Sequence, residues 1–362
     1  MPVVQRFTKA SASFLAAAVV VLCVVQWAGP ARASTGPAPV AQAAATTVVP
    51  ICTATLTATG GTPWRRGGAC TSPGYTNVPV KASPVLDAAA TKVIRALPGA
   101  MLNYEEYGEA IYFAASTTPL RRVTCTVYAC AGGTQARVNG AWRPAHGSDG
   151  QLAVVDLAAR KTYEFWRVER DADGTVKVNA DGSVRASHMS VANQDGRGNT
   201  TPTGGKLGVT GAGVSRIFGV VTRADVAAAL VDPAKGIRHA LQLSLPSSKN
   251  CTSYRAPATK SDGRATTNCV PQGARVQMDP SVNCATIKAT AFTKAVCHAL
   301  RTYGGYTMDN NGSDRIAIYG QTPASVPGAA IPYSDAGVSW DYQGLSGLPI
   351  AKLRVLRTWN GS

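Results

Sequence analysis

The alternation of apolar and polar residues is sharpest between Gly211 and Pro246. After a glycine-rich approach, Thr222 stands as an N-cap with Asp225 three residues on. This spacing predicts a capped helix over Arg223 to Val231, stopped by Asp232-Pro233. From Ile237 the period becomes two: Ile237, His239, Leu241, Leu243 and Leu245 fall on one strand face, and Arg238, Ala240, Gln242 and Ser244 on the other. A histidine therefore lies on an otherwise apolar face.

The rest of the pattern is made of shorter runs. Ser83-Pro84 opens a predicted helix through Leu97 that Pro98-Gly99 ends. Strands are predicted over Ile111 to Phe113, Val123 to Tyr128, Leu152 to Val155 and Tyr163 to Val168, and turns at Asp171 to Gly174 and Asn179 to Gly182 bracket Val176 to Val178. Ala274 to Met278 reads as a strand. A long helix then ends near Tyr303 with Gly304 behind it, and Asp309-Asn310-Asn311-Gly312 is a turn leading to a strand over Ile316 to Tyr319. Many short strands with two or three helices predict a mostly β fold, a sandwich or jelly roll with added helices.

Composition adds a compartment. The first residues carry a basic start (Arg6, Lys9), an apolar run from Phe14 to Val25 and the small-residue site Ala31-Arg32-Ala33, the pattern of a secretory signal peptide over residues 1–33. The run is too short for a span of roughly 20 residues, so a secreted, extracellular protein without a membrane span is expected. Residues 34–50, rich in Ala, Pro and Thr, read as a flexible leader, and 51–362 as a single β-rich domain. Beyond Cys23, eight cysteines remain, and their clustering favours the local pairs 52/70, 125/130, 251/269 and 284/297. No CxxC occurs and the aspartate-rich turns do not fill a calcium loop, so no metal or cofactor site is expected.

The 36 basic and 20 acidic residues give a formal charge of +16. Subtracting the three basic residues of the signal leaves about +13, which favours anionic partners such as an anionic polysaccharide, a cell-wall polymer or nucleic acid. The basic residues are dispersed, so a solubilising surface is the competing explanation. The chain is expected to be a monomer.

The segments GVVTRADVAAALVDPAKGIRHALQLSLP, YRAPATKSDG, VPQGARVQMDP and ALRTYGGYTMDNNG, in this order, resemble a family of secreted bacterial proteins common in actinobacteria. That family carries HAL, PATxxDG, PxGARxxxDP and YGxxxxD motifs and has no assigned activity. The resemblance covers roughly Gln151 to Gln321 and singles out His239, Asp262, Gly263, Gly273, Arg275, Asp279, Tyr303, Gly304 and Asp309, the last in a hairpin. It also implies a histidine at the start of the strand pair GQLAVVDLAARKTYEFW, where this chain has Gln151.

Three chemistries compete. In a polysaccharide lyase, Arg275 would neutralise a uronate carboxylate while His239 or Tyr254 moves the C5 proton. In a glycoside hydrolase, Asp262 and Asp309 would supply the two carboxyl groups, although Asp-Gly and Asp-Asn-Asn-Gly are also ordinary turn sequences. A non-catalytic carbohydrate- or cell-wall-binding protein needs only a groove with aromatic residues, for which Trp142, Trp166, Tyr163 and Tyr254 are available; Trp166 is also the natural core residue of its strand. A serine hydrolase is disfavoured by the lack of GxSxG.

Overall fold

The period-two run that ends at Pro246 becomes the middle of a six-stranded sheet, and the rest of the fold is arranged on its two faces. The computed structural model describes residues 78–81, 83–130, 133–156, 158–159, 161–193, 208–326 and 331–359, all within a unit spanning Val48–Ser362. The expected export signal, the expected leader and the expected pair Cys52/Cys70 lie outside the described residues.

The chain opens with α1 (Ala88–Arg95), β1 (Ala100–Asn103), β2 (Ile111–Ala114), β3 (Leu120–Cys125) and β4 (Gln135–Arg137). It continues through β5 (Leu152–Asp156), β6 (Lys161–Val168), β7 (Val184–Asn193), α2 (Arg223–Val231), β8 (Leu241–Pro246), β9 (Asn250–Tyr254) and β10 (Val270–Gln272). The last elements are β11 (Arg275–Met278), α3 (Ala291–Thr302), β12 (Gly305–Asn311), β13 (Ile316–Tyr319) and β14 (Leu353–Val355). One mixed sheet runs β1-β13-β8-β12-β11-β14, a second runs β2-β5-β6-β7-β3-β4, and β9 and β10 form a two-stranded ribbon. Among the described residues the architecture is mostly β and sandwich-like, with no closed barrel.

Three apolar clusters build the layers. Leu241, Leu243 and Leu245 face Ile94 of α1, Val226 of α2 and Phe292 and Val296 of α3, so the helices cover one face of the first sheet. Its other face meets the second sheet. There Tyr306 and Met308 pack with Ile111, Ala153 and Val155 around the irregular segment that carries Ala212, Val214, Ile217 and Phe218. A third cluster, with Leu152, Phe165 and Met189, covers the far face of the second sheet.

Local signals set the helix ends. In α2, Thr222 Oγ1 accepts from the Asp225 amide while the Asp225 carboxylate accepts from the Thr222 amide at 2.8 Å, a complete capping box. Helix α1 starts later than predicted, because Asp87 rather than Ser83 caps it by accepting from the Ala90 amide at 2.9 Å. Gly304 ends α3 at φ +74°, a conformation glycine adopts without steric penalty. Three local disulfides, Cys125–Cys130, Cys251–Cys269 and Cys284–Cys297, form as their spacing predicted.

Two sequence expectations are corrected. The strand starts at Leu241, not Ile237, so His239 lies in the approach to β8. The DNNG segment does not join a hairpin. Strand β12 pairs parallel with β8 and β13 pairs antiparallel with β8, so the central strand separates the two.

Candidate functional site

A register shift in β12 shapes the site. Thr307 pairs with Leu243, but Asp309, two residues on, pairs with Ser244, one residue on. The extra residue is a bulge, and it moves Asp309 off the leucine face. Without it, Asp309 would stand opposite Leu245 in the helix-covered core. With it, the carboxyl joins Ser244 on the face turned toward the second sheet.

At this face the two sheets bound a cleft of about 760 Å³. Its lining includes Asp309 and Asn310 of β12 and Lys260, Ser261, Asp262 and Arg264 of the loop between β9 and β10, together with Trp166 and His188 of the second sheet and Asp149 and Tyr128 of its loops. Asp262 sits in the loop closed by Cys251–Cys269. Gln272 fixes it, donating from Nε2 to its Oδ1 at 2.6 Å and accepting from its amide at 3.2 Å. Asn310 Nδ2 ties the same loop to β12 through the Asp262 carbonyl at 2.9 Å.

The facing wall is aromatic. Trp166 on β6 lies beside His188 on β7, and Trp166 Nε1 donates to Asp149 Oδ1 at 3.0 Å. Tyr128 approaches the Trp166 ring at 6.0 Å and meets His188 edge-on at 5.7 Å. Trp166 thus stands partly exposed on the cleft wall and is not the core residue its strand pattern indicated.

Beneath the cleft runs a buried polar ladder. Arg216, which reaches the lining, bonds Glu109 Oε1 at 3.0 Å, with side chains 3% and 0% exposed. Ser215 Oγ donates to Glu164 on β6. The Gln242 amide, with its nitrogen toward the segment, donates to the Arg216 and Phe218 carbonyls at 2.9 Å each. One buried cation therefore stands among three carboxyl groups, Glu109, Glu164 and Asp309.

Charge balance there favours protons on the carboxyls left uncompensated. Burial pushes Glu164 up to about 7, opposed by its bonds to Ser215 and the Arg216 backbone. Asp309 is likewise raised to about 7, by burial first and then by the charge on Asp262, while Arg216 pulls the other way. Asp309 keeps partial solvent access through the cleft although protein surrounds it closely, whereas Asp262 is exposed. The cleft thus holds one carboxyl raised to about 7 by its surroundings beside one open to solvent.

The five candidate catalytic residues, His239, Arg275, Asp262, Asp309 and Tyr254, separate here. Asp262 and Asp309 meet in the cleft. His239 is 2% exposed and sits at the head of β8, with Nδ1 2.9 Å from the Ala240 carbonyl and Nε2 3.2 Å from Asp225, tying the strand to the capping box of α2. Arg275 is 1% exposed, and its guanidinium donates to the carbonyls of Tyr303 (2.8 Å), Trp359 (2.8 Å) and Val78. Tyr254 is exposed at the end of β9, outside the cleft lining. Asp279 accepts from the Ser281 amide at 2.9 Å as a turn residue. Gln151 is 1% exposed and donates to the Gly108 carbonyl at 2.9 Å.

Sequence reading missed Asp149, Arg216, His188 and Tyr128. The one available signal was Ser215-Arg216 inside the apolar stretch GAGVSRIFG, since a polar pair in such a run is buried and must be satisfied. Among the described residues no group of three or more His, Cys, Asp or Glu side chains is placed to hold a metal ion, and no helix is long and apolar enough to cross a membrane. Comparison of the chain with family models, with curated proteins and with solved structures found no match.

Proposed function

We propose that this protein is a secreted glycoside hydrolase acting on a carbohydrate polymer. The observation that carries this reading is the meeting of two carboxyls in one cleft: the enclosed Asp309, raised to about 7, and the exposed Asp262, on a lining shared with Trp166 and Tyr128. A sugar ring offers an apolar face to an aromatic wall and hydroxyls to carboxylates and amides. In this reading Asp309 donates its proton to the glycosidic oxygen as the bond to the anomeric carbon breaks. Asp262 takes a proton from the water whose oxygen joins that carbon. Lys260 and Arg264 on the lining add local positive charge, in keeping with the chain's overall excess and with a polymer bearing acidic substituents.

Lyase chemistry through His239 and Arg275 has less support, because each is sealed away from the cleft and bonded within the fold. The three disulfides are the bond type of oxidising compartments, which supports export.

Incubating the protein with xylan, polygalacturonate, hyaluronate and peptidoglycan tests the reading. New reducing ends without the ultraviolet absorbance of an unsaturated uronate are expected from at least one. Tight binding with no new reducing ends would leave a carbohydrate-binding protein in its place.

Gly211 supplies a more local test. A Cβ built there would lie 2.3 Å from Asp262 Oδ1 and 2.6 Å from its Cγ, so Gly211→Ala forces the carboxylate to swing away. The swing also breaks the bond from the buried Gln272 amide to Asp262 Oδ1, at a cost of about 1–3 kcal/mol. Turnover is expected to fall roughly a hundredfold, with a modest drop in melting temperature, as measured by reducing-end assay and calorimetry.

A further inference from the structure

We infer that the disulfide-closed loop Cys125–Cys130 is a substrate subsite, in which Tyr128 is a stacking platform for a sugar ring outside the reacting centre. The inference rests on the carbohydrate reading of the cleft and adds a specificity-determining residue to it. Beyond its contacts with the Trp166 and His188 rings, most of the Tyr128 side chain is open to solvent. Tyr128 is 58% exposed and its neighbour Val127 is 61% exposed. Of the two, Tyr128 lies on the cleft lining, and a large aromatic ring held in water there suits a surface that a ligand covers.

The loop is also rigidly placed. The disulfide joins its ends, and the amides of Thr126, Val127 and Tyr128 donate to the carbonyls of Ala186 and Ser187 at 2.9 to 3.1 Å. His188 Nδ1 lies 2.9 Å from the Ala129 carbonyl. Tyr128 therefore extends the wall begun by Trp166, whose ring is already sandwiched on one side by the Arg167 guanidinium at 4.6 Å. A pre-fixed aromatic surface binds with little ordering cost.

The facing wall offers polar partners. Asp262, Asp309 and Asn310 can exchange hydrogen bonds with hydroxyls, and Lys260 and Arg264 can pair with acidic substituents. An aromatic wall facing carboxyl, amide and cationic side chains matches the many hydroxyls of a polysaccharide.

The test is calorimetric titration of the oxidised full chain, carrying Asp309→Asn to prevent turnover, with xylan, polygalacturonate, hyaluronate and a single-stranded oligonucleotide. Tyr128→Ala is expected to weaken polysaccharide binding about tenfold, and Tyr128→Trp to retain it. The double variant Cys125→Ser/Cys130→Ser should weaken it to a similar degree, and adding Tyr128→Ala to that background should cost little more, since both changes remove one platform. In the active protein Tyr128→Ala should raise KM and leave kcat nearly unchanged. Absent polysaccharide binding, binding indifferent to Tyr128→Ala, or binding of the oligonucleotide alone would overturn the subsite. Tyr128-dependent binding without turnover by the wild type would instead refute the hydrolase and keep the subsite.

Discussion

Replacing Asp309 with Asn is expected to lower kcat by roughly a hundred- to ten-thousandfold, the usual worth of a positioned proton donor, with little change in KM. The argument is electrostatic. Burial and then the Asp262 charge raise Asp309 to about 7, with Asp149 adding to the rise and Arg216 opposing it. Activity of the wild type should therefore decline as pH rises through about 7, because the donor form is lost. Asp262→Asn should lower kcat too, and by removing the neighbouring charge should move any residual alkaline limb to lower pH.

The same substitution has a signature in stability. The folded-state values of Asp309 and Glu164 are raised, from 3.8 and 4.5, each to about 7. The unfolded chain binds fewer protons than the native one in that window, so the stability they contribute is full below about 4 and is lost as pH rises through about 7. Asp309→Asn carries no proton to lose. It should flatten part of this decline and add roughly 1 kcal/mol at pH 8, a gain in stability at the expense of activity. Urea unfolding of both proteins at pH 5 and pH 8 measures the difference; a parallel decline in the two would remove Asp309 as its source.

The second large effect lies in the ladder beneath the cleft. Glu109→Gln keeps the side-chain shape but strands the Arg216 charge in a site where both groups are almost fully buried. Loss of one partner of such a pair costs about 3–5 kcal/mol, so the variant should unfold at markedly lower denaturant. Glu109→Leu combined with Arg216→Met removes both charges and should recover most of the loss. Where Glu109→Gln stays folded, the uncompensated guanidinium should draw the proton from Asp309 more readily and shift the alkaline limb of activity downward. A stability cost that the double replacement does not relieve would mean that packing, not charge, is what the pair provides.

Much of the scaffold was legible because its causes are local. The capping box at Thr222 and Asp225, the alternation through Leu241, Leu243 and Leu245, and the three cysteine pairs at short separation each depend on neighbours in the chain. Asp262 and Asp309 were also legible as candidates, although turn chemistry explained each equally well. The misleading signal was His239. It is buried, but in the approach to β8 and not on the strand that period two indicated, and the polar partner that accounts for it comes from α2, fourteen positions earlier.

The sequence by itself determined a mostly β chain, its capped helices and its local disulfide pairs, because backbone periodicity and short loop closure are written within a few residues. Only the tertiary structure decided where chemistry can occur. A one-residue bulge in β12 carries Asp309 from the leucine face to the cleft, and the pairing of β6 with β7 sets Trp166 and His188 opposite it. Side-chain direction in a strand reverses with each residue, so one extra residue fixed by contacts across the sheet separates a core carboxyl from one that can meet a substrate.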